Sequence, residues 1–226
     1  MVIRQRAIQA EDKQERHDAI LDAAERLLLR SPERVANVAE VAQEAGLAKG
    51  TVYLYFPSKE ELLLAVHERG IDGFFREVIA LVEGDGSVRI DDMLVLTQRH
   101  LVAPPLFLPL AARCFGLMAH SLPPTAALAF KGRMGGRLER AGAGLERHFR
   151  ELAPGDGVAL LRRSYALIIG LWQMSATADG NEGCAIAGPG ASPVYTWTYA
   201  AEVDRALRRL WRGSVGGEAV GEEGAR

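Results

Sequence analysis

The sequence has little that would place it in a membrane or outside the cell. Its 226 residues include only two cysteines, Cys114 and Cys184, too few for the disulfide framework of a small secreted protein. There is no run of eighteen apolar residues, and the polar N-terminus lacks the apolar segment of a signal peptide. We therefore expect a soluble cytoplasmic protein with structural thiols, redox sensing being the alternative.

Motifs of metal, nucleotide and catalytic chemistry are also scarce. The five histidines show no HxxxH spacing and the cysteines no Cys-x-x-Cys spacing, so we predict no metal and no cofactor. Ser164, Ser175 and His148 belong to no nucleophile elbow, so we predict that the chain is not an enzyme. A run of glycines lacks phosphate-loop spacing, and we interpret it as close helix packing. These glycines are Gly132, Gly135, Gly136, Gly142 and Gly144.

The charges are nearly balanced, with 27 basic and 29 acidic residues and a net charge of -2. Such a chain has no overall attraction for nucleic acid or for an anionic membrane. Its hydrophobic content of 48% supports a globular fold of one large or two small domains. Any surface that binds nucleic acid must therefore be local.

The segment 37–59 predicts two short helices around a glycine turn. Asn37 is a good N-cap, so the first helix should begin near Val38. Its buried face is predicted by apolar residues at helical spacing, namely Val38, Val41, Ala42 and Ala45. Gly46 can take the left-handed conformation that a tight turn needs, and a second helix should span 49–55.

The second helix carries groups that contact nucleic acid. Val52 and Phe56 are four residues apart and can anchor it to a core. The outward residues are a cation, a hydroxyl and two phenols: Lys49, Thr51, Tyr53 and Tyr55. Residues 46–59 include two lysines and no acidic residue. In a helix-turn-helix the second helix enters the major groove, so this segment predicts DNA binding.

The same residues belong to a longer pattern. From Val41 the chain reads V-A-x-x-A-G-L-A-K-G-T-V-Y-x-Y-F-P-S-K-E-E-L-L, which resembles the N-terminal signature of TetR-family transcriptional regulators over about 16–66. The resemblance implies an all-α homodimer. It further implies an N-terminal arm and three-helix DNA-binding domain with the helix-turn-helix over 1–60, and a helical ligand-binding and dimerisation domain over 61–226.

The resemblance also implies which residues contact DNA. Carried over by position, these are Asn37, Lys49, Gly50, Thr51, Tyr53, Tyr55 and Lys59. Two positions depart from the common family pattern. Asn37 stands where threonine is usual, and it can still cap the helix. Ala48 stands where serine is frequent, and it cannot cap the recognition helix.

The flanking segments predict two further helices. An amphipathic helix should span about 13–30, preceded by an arm that is either disordered or reaches a minor groove through Arg4 or Arg6. After the motif, Ser58 and Glu61 have capping-box spacing, which predicts the start of a long helix. That helix is the natural lever between a ligand and the DNA.

The remainder predicts five helices, at 91–102, 106–120, 125–152, 158–177 and 195–211. The last two have wide apolar faces and flank a Gly/Pro-rich loop at 179–193. We expect them to form a four-helix bundle between two subunits, although these faces could instead complete the monomer core.

A mixture of apolar and polar residues predicts a small-molecule pocket. The candidates are Arg99, Phe107, Phe115, Met118, His120, Trp172, Gln173 and Tyr195. The expected function is that of a ligand-responsive transcriptional regulator, in the first place a repressor, which binds a palindromic double-stranded DNA operator as a homodimer. Its effector is an unidentified small molecule. The alternative is a DNA-bound structural or division-control protein without a small-molecule ligand.

Overall fold

The computed structural model describes residues 2–31, 34, 36–175 and 197–216, with the side chains of 2–10, 115 and 118–120 outside the description. The described residues form helices and no strand, as predicted. The α-helices are α1 Val2–Arg30, α2 Val38–Glu44, α3 Lys49–Tyr55, α4 Lys59–Glu83, α5 Ile90–Thr97, α6 Phe107–His120, α7 Pro124–His148, α8 Asp156–Ser175 and α9 Tyr199–Val215. A π-helical turn, Gln98–Val102, directly follows α5.

Two compact units are present. The first comprises Met1–Ile71 and Pro104–Ala129, and the second comprises Asp72–Ala103 and Phe130–Arg226. The division therefore falls within α4, and the segment containing α6 belongs with the N-terminal helices. The domain boundary expected between residues 60 and 61 stays a prediction.

The core of the first unit is built from the apolar stripe predicted in α1. Ile20 and Ala23 are completely buried, and they pack with residues of α2, α3, α4 and α6. Leu110 is the buried contribution of α6 to this cluster. The helix-turn-helix thus rests on a continuous apolar base, which fixes the direction in which α3 faces.

Helix α1 begins at Val2 and not near residue 13. The backbone of the N-terminal arm is therefore helical, and the expectation of a disordered terminus is wrong. Residues 2–12 contain neither glycine nor proline and include several strong helix formers, so nothing in them stops the helix. The side chains of Arg4 and Arg6 lie outside the described residues, and their contact with DNA stays a prediction.

The second unit is centred on α8 and α9, which pack against each other. Trp211 is 1% exposed, and its indole Nε1 donates to the Ser164 hydroxyl at 3.0 Å. That hydroxyl donates in turn to the Leu160 carbonyl at 2.9 Å. The polar groups at this buried contact are therefore satisfied. The loop predicted at 179–193 and Cys184 lie outside the described residues.

Two glycines of the run in α7 are sites of close packing. A Cβ on Gly144 would collide with the Val82 side chain, and one on Gly142 would lie 2.7 Å from the backbone nitrogen of Val158. A Cβ on Gly157 of α8 would collide with the Gly142 carbonyl. A Cβ on Gly132, Gly135 or Gly136 meets no atom within 4 Å. The packing interpretation is confirmed for Gly142 and Gly144 and wrong for the other three, which lie at open positions on the helix.

Burial determines the character of the one cysteine that the structure describes. Cys114 on α6 is 1% exposed, and burial raises the pKa of its thiol to about 12. The thiolate, which is the reactive form, is therefore disfavoured. This favours the structural interpretation of Cys114.

Candidate nucleic-acid interface

Helix α2 begins with a capping box at Asn37. The Asn37 Oδ1 accepts hydrogen bonds from the backbone amides of Ala39 and Glu40 at 2.9 and 3.1 Å. The Glu40 carboxylate accepts from the Asn37 backbone amide at 2.8 Å. The N-cap prediction is confirmed, and the reciprocal role of Glu40 was missed although the Asn-x-x-Glu spacing was visible. Phosphate oxygens accept hydrogen bonds, and the Asn37 backbone amide already donates to Glu40. A phosphate contact from Asn37 would therefore use its side-chain NH₂ group.

Gly46 forms the turn between α2 and α3. Its φ of 67° lies in the left-handed region, as predicted. The Leu47 amide donates to the Ala42 carbonyl at 2.9 Å, and the Leu47 side chain packs against the core of the first unit. The turn therefore closes both a backbone hydrogen bond and an apolar contact, which sets the angle between the two helices.

Helix α3 is anchored on one face and open on the other. Val52 is 0% exposed and Phe56 is 5% exposed, whereas Lys49 and Tyr53 are exposed. The Lys49 Nζ lies 5.8 Å from the centroid of the Tyr53 ring, a cation–π distance. Tyr55 is half-buried against the core, so only part of its side chain remains open to a partner. Of the four residues predicted to face outward, Lys49 and Tyr53 are thus the most exposed.

The N-terminus of α3 has no side-chain cap. Ala48 occupies the N-cap position with φ -69° and ψ 141°, and no side-chain hydrogen bond is made there. Gly50 is exposed, and a Cβ built on it would meet no atom within 4 Å. The protein itself therefore does not require glycine at position 50. Thr51 is half-buried beside it.

Lys59 lies at the beginning of α4. Its Nζ is 3.7 Å from the Glu60 carboxylate, and its side chain remains 57% exposed. The Ser58 hydroxyl accepts from the Glu61 backbone amide at 3.1 Å and so caps the helix as predicted. Lys59 is consequently presented by a fixed helix start and not by a loose loop.

The carboxylates of α2 are neutralised by neighbouring arginines. Glu44 is paired with Arg26 and Arg30 of α1, and Glu40 is bound by Arg34 at 2.8 Å. Hydrogen bonds from Arg26 and Arg30 lower the pKa of Glu44, and the Asn37 backbone amide, with Arg34, lowers the pKa of Glu40. Both carboxylates are compensated by adjacent cations, which limits their repulsion of a polyanion near α3.

The open face of α3 also includes an apolar residue that the sequence analysis did not select. Leu54 is 85% exposed, and the buried residues Val52 and Phe56 lie two positions before and two positions after it. The helical period already indicated this, because a residue two positions from a buried one lies on the far side of a helix.

Two known protein-family profiles match this chain. The profile described as "Bacterial regulatory proteins, tetR family" matches residues 20–66, and "Tetracyclin repressor-like, C-terminal domain" matches residues 68–215. The chain belongs to the TetR family. The resemblance inferred from 16–66 is thereby confirmed, and a TetR-type C-terminal domain is added to it. The TetR proteins are transcriptional regulators that bind DNA through a helix-turn-helix.

Individual relatives agree with this assignment. An uncharacterized HTH-type transcriptional regulator of Mycobacterium tuberculosis is 31% identical over 150 residues, covering 65% of this chain and 68% of the relative. A regulator of the same description from Bacillus subtilis, YvdT, is 29% identical over 91 residues, covering 38% and 47%. The match thus spans about half the length of that relative. A TetR-family regulator from Mesorhizobium loti has the same fold, with a TM-score of 0.56, 16% identity and coverage of 90% and 96%.

The candidate ligand residues are placed in different surroundings. Phe107 is buried in the first unit, where its ring centroid lies 5.2 Å from that of His67. In the second unit Arg99 is exposed and donates to Glu77 at 2.9 Å, Trp172 is half-buried and Gln173 is exposed. Tyr195 lies outside the described residues, as do the side chains of Phe115, Met118 and His120. The pocket stays a prediction.

Within the described ranges, no helix is both long enough and apolar enough to cross a membrane.

Proposed function

We propose that this TetR-family chain is a ligand-responsive transcriptional repressor that binds a palindromic operator as a homodimer. The observation that carries the proposal is the acid-free outer face of α3, which presents Lys49, Tyr53 and Leu54 above a buried anchor. The proposed DNA contacts are Asn37, Lys49, Gly50, Thr51, Tyr53, Tyr55 and Lys59.

Dimerisation through α8 and α9 is supported by apolar surface left outside the α8–α9 contact. Met174 is 64% exposed, and Leu167, Leu171 and Trp172 are half-buried. On α9, Leu210 is half-buried. A palindromic operator requires two recognition helices about one DNA turn apart, ~34 Å, and a two-fold axis through these helices would supply them.

The long helix α4 supports coupling between a ligand and DNA binding. It runs unbroken through Gly70 and Gly73. Within the first unit Arg69 of α4 donates to Asp22 at 2.7 Å and to Glu25 at 3.0 Å, both on α1. A rotation of α4 would therefore be transmitted to the base of the helix-turn-helix. By linkage, a ligand can weaken DNA binding only by its differential affinity for the two conformations.

The proposal is tested by selecting DNA from a random double-stranded pool with the purified full-length protein. The expected result is enrichment of one inverted repeat whose half-sites are about one helical turn apart. A small molecule that releases this DNA would identify the effector. Recovery of DNA without a shared sequence would contradict the proposal.

A ligand-free DNA-bound structural or division-control protein is the alternative. Such a protein would also select a DNA sequence from the pool, but no small molecule would release that DNA. A selected operator that no metabolite fraction releases, together with binding at many spaced sites on a long DNA, would favour this alternative.

A further inference from the structure

We infer that Leu54 reads the 5-methyl group of thymine in the operator, and so determines part of its sequence. This inference rests on the proposed function. It extends that function by assigning a base to a residue outside the seven proposed contacts.

The first observation is the exposure of Leu54. Its side chain is 85% exposed, the highest value among the large hydrophobic residues that the structure describes as exposed. The others range from Tyr53 at 43% to Leu128 at 67%. Leu54 lies on a seven-residue helix whose opposite face already holds Val52 and Phe56 in the core. It therefore contributes little to the stability of the first unit.

The second observation is the composition around Leu54. Residues 46–59 have no carboxylate, and Lys49 lies over the Tyr53 ring on the same helix. A polyanion is therefore not repelled from this face, and Lys49 attracts it. The face thus has the charge expected for DNA.

The chemistry of the major groove then selects the group that Leu54 contacts. A leucine side chain has no donor or acceptor, so it cannot bind phosphate or the polar base edges. Among the groups displayed in the major groove, the apolar one is the 5-methyl group of thymine. A T·A pair presents it, and deoxyuridine in the same pair lacks only that methyl group.

The experiment replaces each thymine of the selected operator by deoxyuridine, symmetrically in both half-sites, and measures affinity at fixed salt. For the wild-type protein, one position should lose about fourfold in affinity per half-site, the value of one buried methyl group. Leu54→Ala should bind the thymine operator more weakly and should lose the difference between thymine and deoxyuridine at that position. Leu54→Met, which keeps an apolar side chain of similar reach, should retain it.

Leu128→Ala is the matched control, because it truncates another exposed leucine, on α7, and should leave the thymine preference unchanged. The inference is overturned if the wild-type protein distinguishes thymine from deoxyuridine at no position, or if Leu54→Ala distinguishes them as the wild type does. A pool selection that enriches no sequence overturns the proposed function instead, and this inference with it.

Discussion

Gly50 lies on the exposed first turn of α3, where the folded chain has no need of a glycine. A Cβ there meets no protein atom within 4 Å, and its backbone lies in a regular helix. Glycine at an exposed helix position costs about 0.5–1 kcal/mol relative to alanine. The fold therefore gives no reason for a glycine at this position. If Gly50 allows close approach to DNA, the DNA alone requires the glycine.

We therefore predict opposite effects of Gly50→Ala on stability and on binding. The free energy of unfolding should rise by up to about 1 kcal/mol, measured by chemical denaturation. Operator affinity should fall, because the new methyl group separates the α3 backbone from the DNA. Gly132→Ala is the control, since it fills an equally open position on another helix, α7. An unchanged affinity for the Gly50→Ala protein would remove Gly50 from the interface.

Individual residues also show what was predictable from local sequence. Asn37, Gly46 and Val52 have the predicted roles because N-capping, a left-handed turn and helical period depend on near neighbours in the chain. The ion pairs of Glu44 are not predictable in this way. Its arginine partners are 14 and 18 residues away, and such pairing depends on how α1 crosses α2.

Helices α4 and α6 share a buried histidine in the first unit. His67 of α4 is 3% exposed beside Phe107 of α6, and burial lowers its pKa to about 4, against a smaller opposing effect of Glu68. In the unfolded chain a histidine titrates near pH 6.5. Between these values the unfolded state binds more protons than the folded state does. The stability from neutral His67 is therefore complete above pH 6.5 and is lost as the pH falls toward 4.

We predict that this residue adds up to about 1.4 kcal/mol per pH unit to the fall in stability between pH 6.5 and 4. His67→Leu, which keeps an apolar side chain between α4 and α6, should flatten the pH dependence in that window. Urea unfolding of both proteins at half-unit pH intervals measures the difference. Above pH 7 the two slopes should coincide. Parallel curves across the whole range would contradict the prediction.

The helix boundaries show where sequence patterns lose resolution. The helix predicted at 125–152 ends at His148, and the one predicted at 91–102 changes to a π-helical turn after Thr97. Apolar spacing alone does not distinguish an α-turn from a π-turn. In the structure His100 of this turn lies over Gly73, where a Cβ would be 3.0 Å from its Nδ1. The π-helical turn thus carries a residue that contacts a position 27 residues earlier in the sequence.

At the level of the whole molecule, the proposed dimer makes α8 and α9 the interface. Met174 of α8 is 64% exposed, so a charged side chain there can remain hydrated in a monomer. In a dimer that buries this face, a glutamate would lose its hydration without a partner. We therefore predict that Met174→Glu weakens self-association by about 2 kcal/mol or more, roughly 30-fold in Kd.

Sedimentation equilibrium over a range of protein concentrations measures this change. Leu128→Glu is the matched control, because it places the same charge at an apolar side chain of similar exposure on α7. The Leu128→Glu protein should associate like the wild type. Equal association of the Met174→Glu protein and the wild type would place the dimer interface elsewhere.

Contacts between distant segments are the part of the fold that the sequence could not predict. One example is Leu110 of α6, which lies in the core of the first unit with residues of α1 to α4. Leu110 is more than forty residues further along the chain than Val66, its nearest partner in sequence among the buried residues of this cluster. Residue spacing carries no information on such distant pairs, and the predicted ligand pocket would depend on them as well.

The close contacts of α7 also have a genetic consequence. Every single-nucleotide change that alters the amino acid of a glycine codon adds a side chain. At Gly144 that side chain would collide with Val82, and at Gly157 with the Gly142 carbonyl, so only synonymous changes preserve these close contacts. At Gly132, Gly135 and Gly136 the space is open. Glycines that look alike in the sequence thus divide into positions where the structure leaves room for a side chain and positions where it does not.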